Sequence, residues 1–495
     1  MSTLTAKPAL TSSLITVNSF NGAPLLLTRT PQTIVAEALA AARGIRNLRD
    51  CLVCVGVGSS ADLRWANSTL TTNGISWDVS LSVVVYMDTV DGIATATLAC
   101  DAADLDTLGV RNLVESAAAK ALIIGALSEG ANLVVRDPLG DWDALPLITD
   151  ASVFAPVTTQ LGEMFSASTS DGFAHFGYAE HNMTNVWVAA LSGLRAQYAF
   201  PAGRMELTAR TFDGARSTWE GRATRTFKDV DLAAIDGSLR TRLEWQRRRV
   251  ELDAGKYTTI LPSGCVGDMI ETMRGAFVLR DAVEGNSYFS SANATNGTRL
   301  GERIVQSAAN LYSDPSYIGL DGPDIVVDMY DQATQSVFDA GLQAGRADWI
   351  RNGALEALAG TRVTEDEYGI DRKADCGNMI LEIDGGAGSL EDLIADVEDG
   401  VLCTSLWYIR DIDESKLLVT GLTRDGVYLV KDGEVVAATN NFRFNESAVS
   451  MLDRVRAAGA TEITQVREHA ESAEDVAMPP LVIEGFNFSS VSTAN

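Results

Sequence analysis

The sequence predicts an α+β protein built from two domains. Its 495 residues are too many for one ordinary core, and a hydrophobic content of 46% is enough to form two. Up to residue 227, helical stretches alternate with long β-rich stretches broken by short glycine-containing turns, as in antiparallel hairpins. A polar segment, Lys228-Asp229-Val230-Asp231, then marks a change of pattern. We therefore place an N-terminal domain at residues 1–228 and a C-terminal domain at residues 229–495.

The N-terminal domain begins with a helix and a first set of hairpins. Thr30-Pro31 opens a predicted helix from Gln32 to Ala42, because proline is favoured in the first helical turn. A second helix is predicted from Leu105 to Leu127. Between the helices, strands are predicted to turn at Asn73-Gly74 and Asp91-Gly92. These three strands are Asp62 to Ile75, Ser76 to Met87 and Val90 to Ala99.

A second set of hairpins is predicted from His175 to Phe227. Four short strands are separated by three sequences rich in residues that favour tight turns. These sequences are Ser192-Gly193, Pro201-Ala202-Gly203 and Asp213-Gly214. The C-terminal domain then opens with a charged helix predicted from Leu232 to Leu252.

The stretch after that helix has a strand, a turn and a second helix in succession. The β-branched run from Tyr257 to Ile260 favours a strand, and Pro262-Ser263-Gly264 favours a turn. Apolar residues then recur at i, i+3, i+4 and i+7, the period of an amphipathic helix. These residues are Val266, Met269, Ile270 and Met273.

This succession resembles the core of the TldD/PmbA (TldD/TldE) metallopeptidases. In the zinc-bearing TldD branch, the helix carries the motif H-E-x-x-x-H, whose two imidazoles bind zinc and whose glutamate activates water. Alignment on the glycines of the stretch places Glu271, Thr272 and Ala276 at these three positions. Ala276 has no donor atom, and the hydroxyl of Thr272 cannot take up a proton near neutral pH. The resemblance is therefore to the TldE/PmbA branch, which lacks the zinc motif.

The resemblance continues in order through the C-terminal half. Ser389 is predicted to cap a helix, with Asp392 at the capping-box position. Asp432-Gly433 is predicted to turn a hairpin, and Leu481 to Phe486 to form a terminal strand. The resemblance implies an N-terminal α/β domain with long twisted hairpins and a β-rich, barrel-like C-terminal domain with helices.

Two further features depart from the expected pattern. Gln332-Ala333 replaces the acidic residue and glycine that usually follow Tyr330-Asp331. No cysteine follows Cys403, although the TldD branch takes a further zinc ligand from a cysteine close to its C-terminus. The resemblance therefore implies that this chain holds no zinc.

Charge and composition exclude several classes of function. Asp plus Glu (66) exceed Lys plus Arg (39), so the net charge of −27 would repel nucleic acid and anionic membranes. No apolar run approaches the roughly 18 residues of a membrane span, and the N-terminus does not resemble a signal peptide. Six widely spaced cysteines suit reduced thiols. We therefore expect a cytoplasmic protein with no nucleic acid or membrane partner.

Other reactive side chains are better explained by structure than by chemistry. His175 and His181 lie six apart in a predicted strand, which places them on one face, about 20 Å apart and too far to share an ion. We expect both at the strand surface. Cys51 and Cys54 should point to opposite faces of a strand and pack in the core. Four aspartates are expected at turns and sheet edges rather than around a cation: Asp321, Asp324, Asp328 and Asp331.

The sequence thus predicts the TldE/PmbA-like, non-zinc subunit of a heterodimeric TldD/TldE metallopeptidase. By this resemblance, a TldD-like partner subunit carries the zinc, and this chain supplies no catalytic residue and no metal ligand. Its role is to shape the chamber and bind an unfolded peptide or peptide-like natural product, held as an added strand by backbone hydrogen bonds. Tyr288, in the loop after the helix, is the residue that we single out for substrate contact.

Two other functions remain open at the level of sequence. The chain could be a homodimeric peptide-binding protein without catalysis. It could also be a hydrolase with a non-standard site, in which Glu271 acts with Asp281 and Glu284 on a borrowed metal.

Overall fold

The computed structural model of the protein describes residues 15–18, 24–27, 29–101, 104, 109–127, 130–470 and 475–492. Its elements up to residue 223 are β1 (Ile15–Asn18), β2 (Pro24–Leu27), α1 (Pro31–Ala42), β3 (Leu48–Ala66), β4 (Thr69–Thr89), β5 (Gly92–Asp101), α2 (Val110–Ile124), a 3-10 helix (Ala151–Phe154), α3 (Ala155–Ser170), β6 (Phe173–Ala190), β7 (Arg195–Thr211) and β8 (Ser217–Ala223). Six of these strands form one antiparallel sheet in the order β5-β4-β3-β6-β7-β8.

The first long hairpin turns six residues earlier than the sequence predicts. β3 and β4 are joined at Asn67-Ser68, whose φ angles of 51° and 55° are the positive values that a two-residue turn requires. Asn73-Gly74, predicted as the turn, lies inside β4 opposite Asp62 and Leu63. β3 and β4 pair along almost their whole length, and the register of this pairing determines the position of the turn. The Asn-Gly pair is tolerated in the strand because this end of β4 is exposed.

The second hairpin set has longer and fewer strands than predicted. The turns at Ser192-Gly193 and Asp213-Gly214 lie where the sequence predicts them. Pro201-Ala202-Gly203, predicted as a turn, is instead paired strand within β7. β8 pairs with β7 only from Arg204 onward, so Pro201 lies where one edge of β7 is free. Proline is accepted there because it removes no ladder hydrogen bond.

The chain beyond residue 231 contains most of the strands. Its elements are α4 (Leu232–Trp245), β9 (Gly255–Leu261), α5 (Ser263–Glu271), a 3-10 helix (Arg274–Phe277), α6 (Leu279–Glu284), β10 (Ala309–Ser313), a 3-10 helix (Val337–Asp339), β11 (Ala347–Arg351), β12 (Ala354–Leu355), α7 (Arg362–Tyr368), β13 (Met379–Ile383), α8 (Leu390–Ala395), β14 (Asp399–Cys403), β15 (Leu406–Asp413), a 3-10 helix (Glu414–Lys416), β16 (Leu418–Thr423), β17 (Val427–Lys431), β18 (Glu434–Ala438), β19 (Asn441–Ser447), α9 (Ala448–Asp453), β20 (Val455–Ala458), β21 (Glu462–Thr464), β22 (Val476–Met478) and β23 (Leu481–Ser492).

These C-terminal strands form two sheets. The smaller has six strands in the order β12-β11-β10-β13-β22-β21. The larger has nine, in the order β15-β16-β19-β23-β9-β14-β17-β18, with β20 paired to β23. The α+β fold class is therefore confirmed, with a β-rich C-terminal half that includes a half-barrel sheet.

Successive side chains of β3 point to opposite faces of the N-terminal sheet. Odd-numbered residues such as Val53 and Leu63 are buried beneath helices α1 to α4. Leu52, on the other face, packs against a loop segment of the C-terminal half that contains Ile325 and Phe338. The N-terminal sheet is therefore covered on both sides.

Helix α4 belongs by sequence to the C-terminal domain but packs on the N-terminal sheet. Its residues Ile235 and Leu239 share a buried cluster with Leu63 and Leu207. The helix ends at Trp245, earlier than predicted. The domain boundary at residue 228 stays a prediction.

Several local predictions are confirmed. Ser389 caps α8 in a capping box with Asp392, and Asp432-Gly433 turns the hairpin of β17 and β18. The predicted helix Leu105 to Leu127 is observed as Val110–Ile124, and residues 105–108 lie outside the described residues. Within the described part of the chain, no helix is both long and apolar enough to cross a membrane.

Candidate functional site

Helix α5 is packed tightly against the segment that follows β21. It ends at the first motif position, Glu271; Thr272 directly follows the helix, and Ala276 lies in the 3-10 helix Arg274–Phe277. A Cβ atom at Gly264 would lie 2.6 Å from the carbonyl oxygen of Gln465. A Cβ atom at Gly267 would lie equally close, 2.6 Å, to Cγ1 of Val466. Both glycines are needed because real Cβ contacts are longer, so the sequence of the helix fixes how closely this segment approaches.

Glu271, at the first motif position, is engaged by a cation from its own chain. Arg274 donates from Nε to Glu271 Oε2 at 2.8 Å and from Nη2 to Oε1 at 3.0 Å. Its Nη1 donates to Asp375 at 2.7 Å. The Glu271 side chain is only 5% exposed. Both carboxylate oxygens therefore face a guanidinium group, in the bidentate geometry that gives strong pairs.

The other two motif positions offer no donor for a metal. The hydroxyl of Thr272, the residue after α5, donates to the carbonyl of Met269 in that helix at 2.6 Å. Ala276 packs its methyl group against the core. A structural or catalytic zinc ion needs at least three such ligands, so the residues at these positions do not fit zinc.

The remaining residues singled out from the sequence have partners of other kinds. The ring of Tyr288 contacts Phe289, with centroids 5.4 Å apart, and lies under the guanidinium of Arg299 at 4.9 Å. Glu284 accepts a hydrogen bond from Tyr368 at 3.1 Å. Among the described residues, Glu271, Asp281 and Glu284 do not form a group that could hold a metal.

Asp268, one turn before Glu271, is a buried acid that the sequence reasoning missed. It is 1% exposed and accepts backbone N–H bonds from Arg467 at 3.1 Å and from Glu468 at 2.8 Å. Burial raises the pKa of Asp268 to about 7. In the sequence, the feature that could have identified this buried acid is the position of Asp268 beside the apolar helix residues Val266 and Met269.

A cleft runs along the boundary between the N-terminal sheet and the C-terminal half. It consists of three cavities, which we name the Glu180 cavity (300 Å³), the Asp268 cavity (440 Å³) and the Arg210 cavity (410 Å³). The first two share Arg222 and Gln465, and the last two share Arg467. We call the three together the inter-domain cleft. 

The motif positions lie outside this cleft. The described lining of the three cavities includes none of Glu271, Thr272, Ala276 and Tyr288. The structure therefore separates the degenerate motif from the inter-domain cleft, although Asp268 on the same helix as Glu271 lines that cleft.

Glu206 on β7 links the two walls of the inter-domain cleft. Its Oε1 accepts from the Tyr178 hydroxyl at 3.0 Å and from Gln465 Nε2 at 2.8 Å, and its Oε2 accepts from Trp219 at 3.2 Å. The Oε1 atom of Gln465 is buried and has no hydrogen-bond partner in the described chain. A buried acceptor of this kind is costly unless something donates to it.

Arg467 also bridges the walls. Its guanidinium lies over the rings of Trp219 on β8 and Trp407 on β15, at 4.8 and 5.3 Å from their centroids. Its Nη2 donates to Asp425 at 2.8 Å. Cation–π stacking and an ion pair therefore position Arg467 between the two walls in the middle of the cleft.

The two strand histidines are buried, contrary to the surface position expected from the sequence. His175 Nε2 lies 3.2 Å from Asp236 Oδ1 beneath α4. His181 contacts Thr149 Oγ1 at 2.9 Å and the Arg225 carbonyl at 3.0 Å, and burial lowers its pKa. Both lie on one face as predicted, but alternation does not say which face is covered.

Cys51 and Cys54 pack against opposite faces of the N-terminal sheet, as predicted. Burial raises the pKa of Cys54 to about 12, so its thiol stays protonated at neutral pH. Within the described residues, the aspartates from Asp321 to Asp331 form no group that could hold a metal ion.

A family model matches the C-terminal half of the chain. Residues 254–490 match the model described as the PmbA/TldA metallopeptidase C-terminal domain. This range contains β9, α5 and the segment that packs on α5. No curated protein matches the sequence.

Solved structures extend the likeness to nearly the whole chain. The fold is similar to TldE from Thermococcus kodakarensis, at 14% identity and a TM-score of 0.71, over 92% of this chain and 99% of that one. It is also similar to a protein from Thermotoga maritima described as a candidate modulator of a DNA gyrase, at 14% identity and a TM-score of 0.69, over 92% and 100%. A protein from Bacteroides thetaiotaomicron with a similar description matches at 15% identity and a TM-score of 0.68, over 93% and 100%.

Each comparison supports a different part of the assignment. The structural likenesses, at 14–15% identity, establish the fold. The family model identifies the half of the chain that contains the motif helix. Residues 254–490 therefore belong to the PmbA/TldA metallopeptidase C-terminal domain family, and the chain as a whole has the fold of TldE.

Proposed function

We propose that the chain is the TldE/PmbA-like, non-zinc subunit of a heterodimeric metallopeptidase. In this proposal it shapes the chamber and holds an unfolded peptide, or a peptide-like natural product, for cleavage by a zinc-bearing TldD-like partner. The observation that carries the proposal is the fork between Arg274 and Glu271. The cation that Glu271 contacts is a guanidinium of its own chain, at 2.8 and 3.0 Å.

The residues at the motif support a division of labour between two chains. When bound in the partner, zinc polarises the scissile carbonyl and lowers the pKa of a bound water. In this chain, the Thr272 hydroxyl donates to the Met269 carbonyl, and the side chain of Ala276 has no polar atom. Neither residue can take the place of a catalytic base or a metal ligand, and in this proposal a second chain supplies both.

The inter-domain cleft supports the binding of an extended peptide. β8 is the outermost strand of the N-terminal sheet, and β21 is the outermost strand of the smaller C-terminal sheet. Residues of both strands, including Gly221 and Glu462, line the Asp268 cavity. Unpaired strand edges bind extended chains through backbone hydrogen bonds and read shape more than sequence. An unfolded peptide of mixed sequence is therefore the substrate class that this surface favours.

Co-expression with a TldD-like protein from the same organism tests the proposal. The expected result is one peak in size-exclusion chromatography that contains both chains and about one zinc ion per pair. Two separate peaks would contradict the pairing, and a homodimer of this chain that binds peptide would favour the non-catalytic alternative. As a control, substitution of the partner's zinc-binding histidines should remove the zinc and leave the pairing intact.

A further inference from the structure

Charge is distributed unevenly along the inter-domain cleft. The Glu180 cavity is balanced, with three arginines and three carboxylates in its lining, and the Asp268 cavity has three arginines and four carboxylates. The Arg210 cavity instead has four arginines and one carboxylate. These are Arg210, Arg249, Arg424, Arg467 and Asp425. The charge of this cavity is therefore positive, although the net charge of the whole chain is −27.

The arginines of this cavity are incompletely neutralised. Arg210 has no carboxylate within ion-pair distance in the described chain. Arg249 and Arg424 make only long pairs, at 3.6 Å to Glu251 and 3.7 Å to Asp425. Asp425 itself is already held by Arg467 at 2.8 Å. Positive charge therefore remains available to a ligand.

Hydroxyl-bearing residues also line the cavity, namely Thr208, Ser217 and Thr439. Two of these hydroxyls are already engaged, because Ser217 donates to Asp425 at 2.5 Å and Thr439 donates to the Asn440 carbonyl at 3.0 Å. Guanidinium groups bind planar oxyanions such as carboxylates through paired N–H donors. The chemistry of this cavity thus favours a carboxylate.

Strand β7 connects this cavity with the far end of the cleft. Its residue Arg204 lines the Glu180 cavity, and Arg210 lines the Arg210 cavity. Six residues of strand extend about 20 Å. An extended peptide of about six residues would therefore reach from one cavity to the other.

We propose that the Arg210 cavity binds the C-terminal carboxylate of an extended peptide whose preceding residues lie along the inter-domain cleft. This inference rests on the proposed peptide-binding function and adds a direction to it. The arginines of the Arg210 cavity anchor the C-terminal carboxylate of the bound peptide at one end of the cleft. The remainder of the peptide runs past Trp219 and Gln465, toward the Glu180 cavity.

Fluorescence anisotropy with two peptides tests this polarity. The probe is an eight-residue peptide of valine, serine and threonine, labelled with fluorescein at its N-terminus, with either a free carboxylate or an amide at its C-terminus. The free acid should bind the full-length chain about tenfold more tightly than the amide, because charge-assisted hydrogen bonds are the stronger kind. Equal affinities for acid and amide would overturn the inference and leave the proposed function standing. Absence of binding to both peptides would contradict both.

Two variants separate the cavity from general charge effects. Arg210→Gln should reduce the preference for the acid to less than about threefold, because its exposed guanidinium contributes directly. Arg111→Gln removes the same charge from the exposed face of α2, where Arg111 pairs with Glu115 at 3.7 Å, and should leave the preference unchanged. A preference that survives Arg210→Gln, or falls equally in both variants, would refute this assignment.

Discussion

Arg274 and Glu271 form a two-pronged ion pair, with N–O distances of 2.8 and 3.0 Å, where α5 ends and the 3-10 helix Arg274–Phe277 follows. The pair is extended by Asp375, which accepts from the same guanidinium at 2.7 Å. Because Glu271 is almost fully buried, its charge must be compensated locally. The positive charge that compensates Glu271 is thus the guanidinium group of Arg274 in the same chain.

The first prediction concerns the stability that this pair provides. Arg274→Met should lower the free energy of unfolding by about 3 kcal/mol, because it leaves the Glu271 carboxylate buried without its cation. The double variant Arg274→Met with Glu271→Leu should recover most of that loss. Urea unfolding monitored by tryptophan fluorescence measures both. A double variant as unstable as Arg274→Met alone would contradict the interpretation.

The second prediction separates structure from catalysis at the same residue. Glu271→Ala should leave the peptidase activity of the reconstituted pair within a few-fold of the wild type, measured at a temperature where the variant is folded. The physical reason is that Glu271 contacts Arg274 and not a reacting group. A loss of about 10³-fold, the scale of removing a catalytic group, would show that this helix does chemistry.

The third prediction concerns the pH dependence that Asp268 introduces. Its pKa is about 7 in the folded chain, well above its usual value, because the side chain is buried. Between about pH 4 and pH 7, the folded state keeps a proton that the unfolded state releases. This stabilisation is complete below pH 4 and is lost as the pH rises to 7.

Asp268→Asn tests this dependence, because asparagine keeps an acceptor oxygen for the N–H groups of Arg467 and Glu468. Between pH 5 and pH 8, the stability of the wild type relative to the variant should fall by about 3 kcal/mol. Unfolding by urea at each pH gives this difference. A difference that is constant with pH would contradict a raised pKa at this residue.

The fourth prediction concerns the close approach of α5 to the segment after β21. Gly264→Ala should cost about 2 kcal/mol, because the new methyl group would lie 2.6 Å from a backbone carbonyl oxygen. Gly275→Ala is the matched control, since nothing lies within 4 Å of a Cβ atom there. Thermal unfolding compares the two. Equal costs for both variants would rule out this packing.

Sequence reasoning succeeded where short-range chemistry decides the structure. The capping box of Ser389 with Asp392 depends on residues three apart, and the turn at Asp432-Gly433 depends on two. The order of strand, turn and helix around Glu271 is similarly local. These features follow from backbone preferences that neighbouring residues express by themselves.

Sequence reasoning failed where distant pairing decides. Asn73-Gly74 has the better turn sequence, but the register of β3 on β4 places the turn at Asn67-Ser68. His181 was expected at the surface but is buried. Alternation along a strand shows which residues share a face, but it does not show what covers that face. The stacking of Arg467 on Trp219 joins residues some two hundred and fifty positions apart, which no local pattern encodes.

Under the proposed function, this chain cannot hydrolyse peptides without a zinc-bearing partner, and the activity of the isolated protein tests this directly. The purified chain, incubated with an unfolded peptide with and without a chelator, should show no chelator-sensitive cleavage. Addition of the TldD-like partner should restore cleavage. Chelator-sensitive hydrolysis by the isolated chain would contradict the account.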